Sequence, residues 1–262
     1  MMRKTKFYRR WNRRFFTGLA GTHKSVLECL RTSDPLVVHD LRVGLRRARL
    51  LALVGRPMLG KTRVAQFRQW AMKLATALSG VRDYDVMLDW LKAHSPGAQQ
   101  DQLLREKRAR TWRLARPKLM ALSRREWKEI RIRGSSPLRA GGLRDNFRKE
   151  CSKTGAALAR DAARFHKLDA AGLHEFRRTL RRQRYLRELA LGRREQKVDR
   201  ELKRLIAFQE ALGEMRNCYL VRTFFSSQKP PATRLIKLAK SHEGKWLRRA
   251  NRHLGGFLRD AK

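Results

Sequence analysis

Acidic residues are scarce in this chain. Asp and Glu together number 23 against 64 Lys and Arg in 262 residues, for a formal net charge of +41. Even with every carboxylate paired, most cations lack an internal partner, and such an excess repels itself unless a polyanion neutralises it. Cysteine is nearly absent too. Cys29, Cys151 and Cys218 lie far apart, odd in number and without a CxxC or Cys/His cluster. That excludes a disulfide framework and a zinc site, and they read as small buried hydrophobes of a reducing compartment. No segment approaches the roughly 18 apolar residues of a membrane span. The opening MMRKTKFYRRWNRRFFTGLAG is basic but has no uninterrupted apolar stretch of signal-peptide length. The expectation is a soluble, cytoplasmic protein. There is no Walker-type phosphate loop, GxSxG elbow or HExxH, and the few carboxylates are too scattered to make an acidic metal cluster. A non-enzymatic protein without cofactor or metal is therefore expected.

What is present is helix-forming sequence with hydrophobic content of 42%, enough for a core. Proline and glycine punctuate it at 33–35, 55–60, 95–97, 134–142, 169–172 and 228–232. Between these breaks the period is helical. From Val64 to Leu91, for example, Phe67, Trp70, Ala71, Leu74, Ala77, Leu78, Val81, Tyr84 and Leu88 follow one helix face. No run alternates at period two, so the fold class is all-α. Asp34-Pro35 is a helix start, with Asp as N-cap and Pro at the first helical position, and Asp169 plays that part later. Near the start, Phe7, Tyr8, Trp11 and Phe15 make one stripe, suited to packing a first helix onto the bundle.

The chain repeats itself. HDLRVGLRRARLL at 39–51 aligns without gaps to HEFRRTLRRQRYL at 174–186, and LSGVRDYDVMLDWL at 78–91 aligns to LGEMRNCYLVRTFF at 212–225. His39 matches His174, Arg42 matches Arg177, and Arg46, Arg47 and Arg49 match Arg181, Arg182 and Arg184. Arg82 matches Arg216. Two matches at nearly one offset indicate internal duplication, with repeats over 1–133 and 143–262 joined by a linker at 134–142.

At about 100° per residue, His39, Arg42, Arg46 and Arg49 fall within roughly 80° of one another, as do His174, Arg177, Arg181 and Arg184. Beside the first stripe runs an apolar one of Val38, Leu41, Leu45, Ala48 and Ala52. The arginines thus border the core, where a merely solvated face would oppose it. Arginine, which outnumbers lysine by roughly two to one, suits planar, bidentate phosphate recognition. The competing reading is structural pairing with Asp40, Asp83, Asp85 and Glu175. The acids are too few to take all the arginines. Arg82, beside Asp83, and Arg216, beside Asn217, are candidates for either role. For the histidines the readings are a hydrogen-bond donor to phosphate, a packing or capping residue, a phosphohistidine, or, last, a metal ligand.

The paired VHDLRVGLRRARLL and LHEFRRTLRRQRYL, each followed by its LSGVRDYDV or LGEMRN stretch, resemble the CHAD family, the conserved histidine α-helical domain. The resemblance covers nearly the whole chain. It implies a single domain of two four-helix-bundle-like repeats related by pseudo-twofold symmetry around a basic central channel. That channel would bind inorganic polyphosphate, and many members associate with polyphosphate granules. It further implies that His39, Arg42, Arg46, Arg49 and their second-copy counterparts line the channel, with Arg47, Arg82, Arg182 and Arg216 as further candidates. Some members carry a fused triphosphate-cleaving domain marked by ExExK. Glu129-Ile130-Arg131 does not fit that motif, which points to a stand-alone binding protein. The Asp-x-Asp of the first copy reads Asn217-Cys218-Tyr219 in the second, which removes acidic support for its arginines. RNA or DNA is the alternative ligand, although the stripe lacks interleaved aromatics and matches no standard reader motif.

Overall fold

A computed structural model describes residues 6–125 and 141–260. The break expected at 134–142 falls mostly outside them, as does Glu129-Ile130-Arg131. The described residues form helices joined by short connections, and no strand occurs among them. In chain order these are α1 (Lys6–Thr32), α2 (Pro35–Val54), a one-turn α3 (Arg56–Leu59), α4 (Lys61–Ala77), α5 (Ser79–His94) and α6 (Gln100–Arg125). After them come α7 (Gly141–Ala163), α8 (Ala170–Ala190), the short α9 (Arg193–Val198), α10 (Arg200–Ser226) and α11 (Thr233–Asp260). The chain divides into two compact units, Met1–Asp89 with Gly97–Arg148, and Trp90–Pro96 with Lys149–Lys262.

In the first unit, α1 buries Trp11, Phe15, Leu19, Thr22, Val26 and Cys29 at spacings of three and four, and packs along α2. The Trp11 indole donates to the Leu51 carbonyl at 2.8 Å, fixing where the two helices cross. Two glycines of this helix pair are dictated by space. A Cβ on Gly55 would lie 2.1 Å from the Trp11 ring, and one on Gly44 would lie 2.9 Å from the Thr22 hydroxyl. The aromatic stripe of α1 therefore meets the core, with Trp11 and Phe15 stacked at 5.5 Å and Phe7 against Phe147 at 4.7 Å.

Asp34 caps α2 as expected. Its carboxylate accepts from Leu36 N at 2.6 Å and Val37 N at 3.4 Å, with Pro35 at the first position. The run 64–91 is not one helix. It breaks at Leu78, where ψ is near 0°, and resumes at Ser79. Leu78 stays fully buried, so the apolar phase carries across a break that has no proline to announce it. Past that point Tyr84 and Leu88 are only half-buried, and the buried positions are Val81, Asp85, Met87, Trp90 and Leu91.

The second unit is built on Phe165, Phe176, Leu180, Leu205, Phe208, Leu212 and Leu254. Phe165, Phe176 and Phe208 meet at centroid separations between 5.2 and 6.2 Å. Asp169 caps α8 by accepting from Gly172 N at 2.7 Å.

Candidate functional site

On α2 the apolar stripe of Val38, Leu41, Leu45, Ala48 and Ala52 is wholly buried, while His39, Arg42, Arg46 and Arg49 are half-buried and Arg47 is exposed. The basic stripe therefore lies at the margin of the core. Arg42 Nη1 donates to the carbonyl of Ala75 in the last turn of α4, an end carrying partial negative charge. Burial first, then the charges of Arg46 and Arg82, hold its pKa below the usual arginine value, while Asp83 and Asp85 oppose them. Arg46 Nε is buried and has no hydrogen-bond acceptor.

Arg82 comes to this face from α5. It sits 3.7 Å from Asp89 and 4.0 Å from Asp85, contacts too loose to be strong hydrogen bonds. Asp85, only 1% exposed, is engaged elsewhere. Arg108 Nε of α6 donates to it at 2.5 Å, and Arg108 Nη2 donates to the Ser33 carbonyl at 2.7 Å. Burial raises the Asp85 pKa and the Arg108 hydrogen bond works against that. Sequence reading missed Arg108 because its partner lies 23 positions away. Asp85 itself carried a signal: it occupies the buried phase of α5 one turn after Val81, where a carboxylate requires a cation.

His39 has its pKa lowered by burial first, then by Arg82, Arg46 and Arg42, with Asp40 opposing. The neutral imidazole is thus favoured, offering one N–H and no charge.

On α8, Phe176, Leu180, Leu186 and Leu189 are buried. Arg177, Arg181, Arg182 and Arg184 are half-buried and His174 is exposed. Arg182 pairs with Glu150 of α7 through Nη2, leaving a buried Nε without an acceptor. Arg184 pairs with Glu188 one turn on at 2.8 Å. His174 is lowered by burial first, then by Arg178, Arg177 and Arg181, with Glu175 opposing. Glu175 itself pairs with Arg178, outside the aligned stripe.

Arg216 of α10 is held by an aromatic ring. Its guanidinium lies 5.6 Å from the Tyr219 centroid, and that of Arg222 lies 5.2 Å from the same ring. Arg222 also donates to Glu243 at 2.8 Å. Tyr219 aligns with Asp85, so where the first copy holds Arg108 with a buried carboxylate, the second holds Arg216 and Arg222 by cation–π contact. One Arg216 nitrogen, Nη1, is buried without an acceptor.

The structure therefore brings His39, Arg42, Arg46 and Arg82 into one electrostatic cluster, and His174, Arg177 and Arg181 into another. It ties Arg182 and Arg184 to glutamates. Among the described residues no group of three or more His, Cys, Asp or Glu side chains is placed to hold a metal ion. Cys29 and Cys218 are buried and Cys151 half-buried, all as free thiols. Burial pushes them up, Cys29 to about 12 and Cys151 and Cys218 to about 11, which leaves them unreactive. No helix among the described residues is long and apolar enough to cross a membrane.

Comparison with known proteins bears on this arrangement. The CHAD domain in crystals from the plant Ricinus communis is similar with a TM-score of 0.64 and 19% identity, over 92% of this chain and 89% of that one. PptA from Streptomyces chartreusis is similar with a TM-score of 0.60 and 16% identity, over 92% and 95%. No curated protein matches the sequence. The structural likeness supports the all-helical fold, and the family model for the CHAD domain matches residues 19–226. The chain belongs to the CHAD-domain family.

Proposed function

We propose that the protein binds inorganic polyphosphate, without catalysis, through the histidine–arginine faces of α2 with α5 and of α8 with α10. By this reading it gathers on polyphosphate granules in the cytoplasm. The family is associated with polyphosphate binding in general. The observation that carries the finer reading is the crowding of His39, Arg42, Arg46 and Arg82 while the nearby buried acid, Asp85, is engaged by Arg108. Like charges held this close raise the free energy of the empty face. A chain of phosphates relieves that repulsion and accepts several charge-assisted hydrogen bonds at once. Neutral His39 adds a donor without adding repulsion. Each face by itself offers a polyphosphate chain this same chemistry.

Competition tests this. Labelled long-chain polyphosphate is bound at about 0.15 M salt and challenged with RNA, duplex DNA and tripolyphosphate at equal phosphate. The proposal expects long polyphosphate to displace the label best and no orthophosphate to be released on incubation. Better displacement by a nucleic acid, or steady phosphate release, overturns it.

A further inference from the structure

A second surface of the first unit stands apart from the histidine–arginine faces. Between α4 and α6 runs an open groove of about 620 Å³, and none of the aligned site residues lines it. Its floor is apolar, with Met72, Ala77, Leu114, Ala115, Ala121 and Leu122. Met72 is 48% exposed and Leu114 66% exposed, large apolar side chains left facing water on neighbouring helices. Scattered apolar residues on a surface mean little, but a contiguous strip with a polar rim marks an interaction site.

The shape and the charge name the occupant. The α6 wall runs from Thr111 to Leu122, about 16 Å at 1.5 Å per residue, which matches three turns of a guest helix. The groove is open along its length, whereas pockets for small molecules enclose most of their ligand. An amphipathic helix laid into a groove by its apolar stripe is a recurrent mode of recognition, and a flexible Met on the floor suits it. Lys73 and Lys118 stand on the rim. The walls hold no carboxylate: α4, residues 61–77, and the stretch 107–125 of α6 contain neither Asp nor Glu. With the whole chain at +41, a second copy is repelled and an acidic guest is attracted.

The geometry points to this groove as a docking site for an acidic amphipathic helix of another protein, seating its apolar stripe on Met72 and Leu114 between Lys73 and Lys118. The protein then has separate surfaces for a polyanion and for a protein partner.

The probe is a labelled synthetic peptide of about 18 residues, with leucines at helical spacing and glutamates elsewhere. Its control is the same composition scrambled so that the leucines form no stripe. Both are titrated against the full chain at about 0.15 M salt, which separates stripe recognition from mere attraction to a basic protein. The amphipathic peptide is expected to bind about tenfold or more tightly than the scrambled one. Leu114→Ser and Met72→Glu, at exposed positions that folding tolerates, should each remove that preference while leaving polyphosphate binding unchanged. Arg46→Glu with Arg181→Glu should leave the preference intact. Equal binding of the two peptides, or a preference surviving Leu114→Ser, overturns the proposal. A concentration-dependent dimer that Leu114→Ser abolishes overturns it too, giving the groove to a second copy.

Discussion

At the scale of single residues, every histidine whose pKa is resolved is pushed the same way. His39, His174, His242 and His253 are all lowered from the ordinary 6.5, with burial as the first cause in each. The folded state thus prefers them neutral, while the unfolded chain protonates them freely. Their contribution is complete above about pH 6.5 and is lost as pH falls from there through the lower folded values. Without ligand, the melting temperature should drop between pH 7.5 and 5.5, and less so in His39→Gln; a flat profile contradicts this. On the proposed reading, polyphosphate relieves part of the lowering at His39 by neutralising Arg82, Arg46 and Arg42, while burial, the first cause, remains. Binding near pH 6.5 should therefore take up protons, measurable by calorimetry in buffers of different ionisation enthalpy. Asp85 gives a second test. Asp85→Asn leaves the Arg108 guanidinium, 14% exposed, with no counter-charge. Breaking such a buried pair costs about 3–5 kcal/mol, whereas replacing both partners with apolar residues costs much less. Urea denaturation of Asp85→Asn and of Asp85→Leu with Arg108→Met should show that order.

At the scale of elements, what could be read in the sequence was what is local. The starts of α2 and α8 were legible because Asp34-Pro35 and Asp169 cap their own next turn. Asp34→Ala should cost about 1 kcal/mol in thermal or urea unfolding. The position of the basic stripe was legible because helical period alone sets Arg42 and Arg46 beside Leu41 and Leu45. The break at Leu78 was not legible, since Leu74, Leu78 and Val81 keep the apolar phase across it. The aligned second-copy stretch shows how little local preference decides here. Gly213, a residue that weakens helices, lies within the unbroken α10. Also hidden was the reach of Arg108 to Asp85 and of Arg182 to Glu150, because such pairs depend on packing between elements. Gly55 belongs to this scale as well. Gly55→Ala drives a methyl into the Trp11 ring and should destabilise by about 1–3 kcal/mol, with a change in tryptophan fluorescence. A neutral effect contradicts the packing of α1 on α2.

At the scale of the whole molecule, charge dominates. A chain at +41 resists its own compaction, so added salt should stabilise the empty protein, and a polyanion should do so at far lower concentration. Net charge alone names no ligand and no location, and a protein coated uniformly in cations would behave alike. The claim is narrower: a defined set of arginines beside the two cores does the binding. Long polyphosphate titrated at about 0.15 M salt into Arg46→Glu with Arg181→Glu, and into Arg248→Glu with Arg249→Glu on exposed positions of α11, separates the two descriptions directly. Both variants carry the same net charge. The first should lose about tenfold or more per reversed arginine and the second only a few-fold; equal losses would mean that the whole surface binds and that the histidine–arginine faces have no special part.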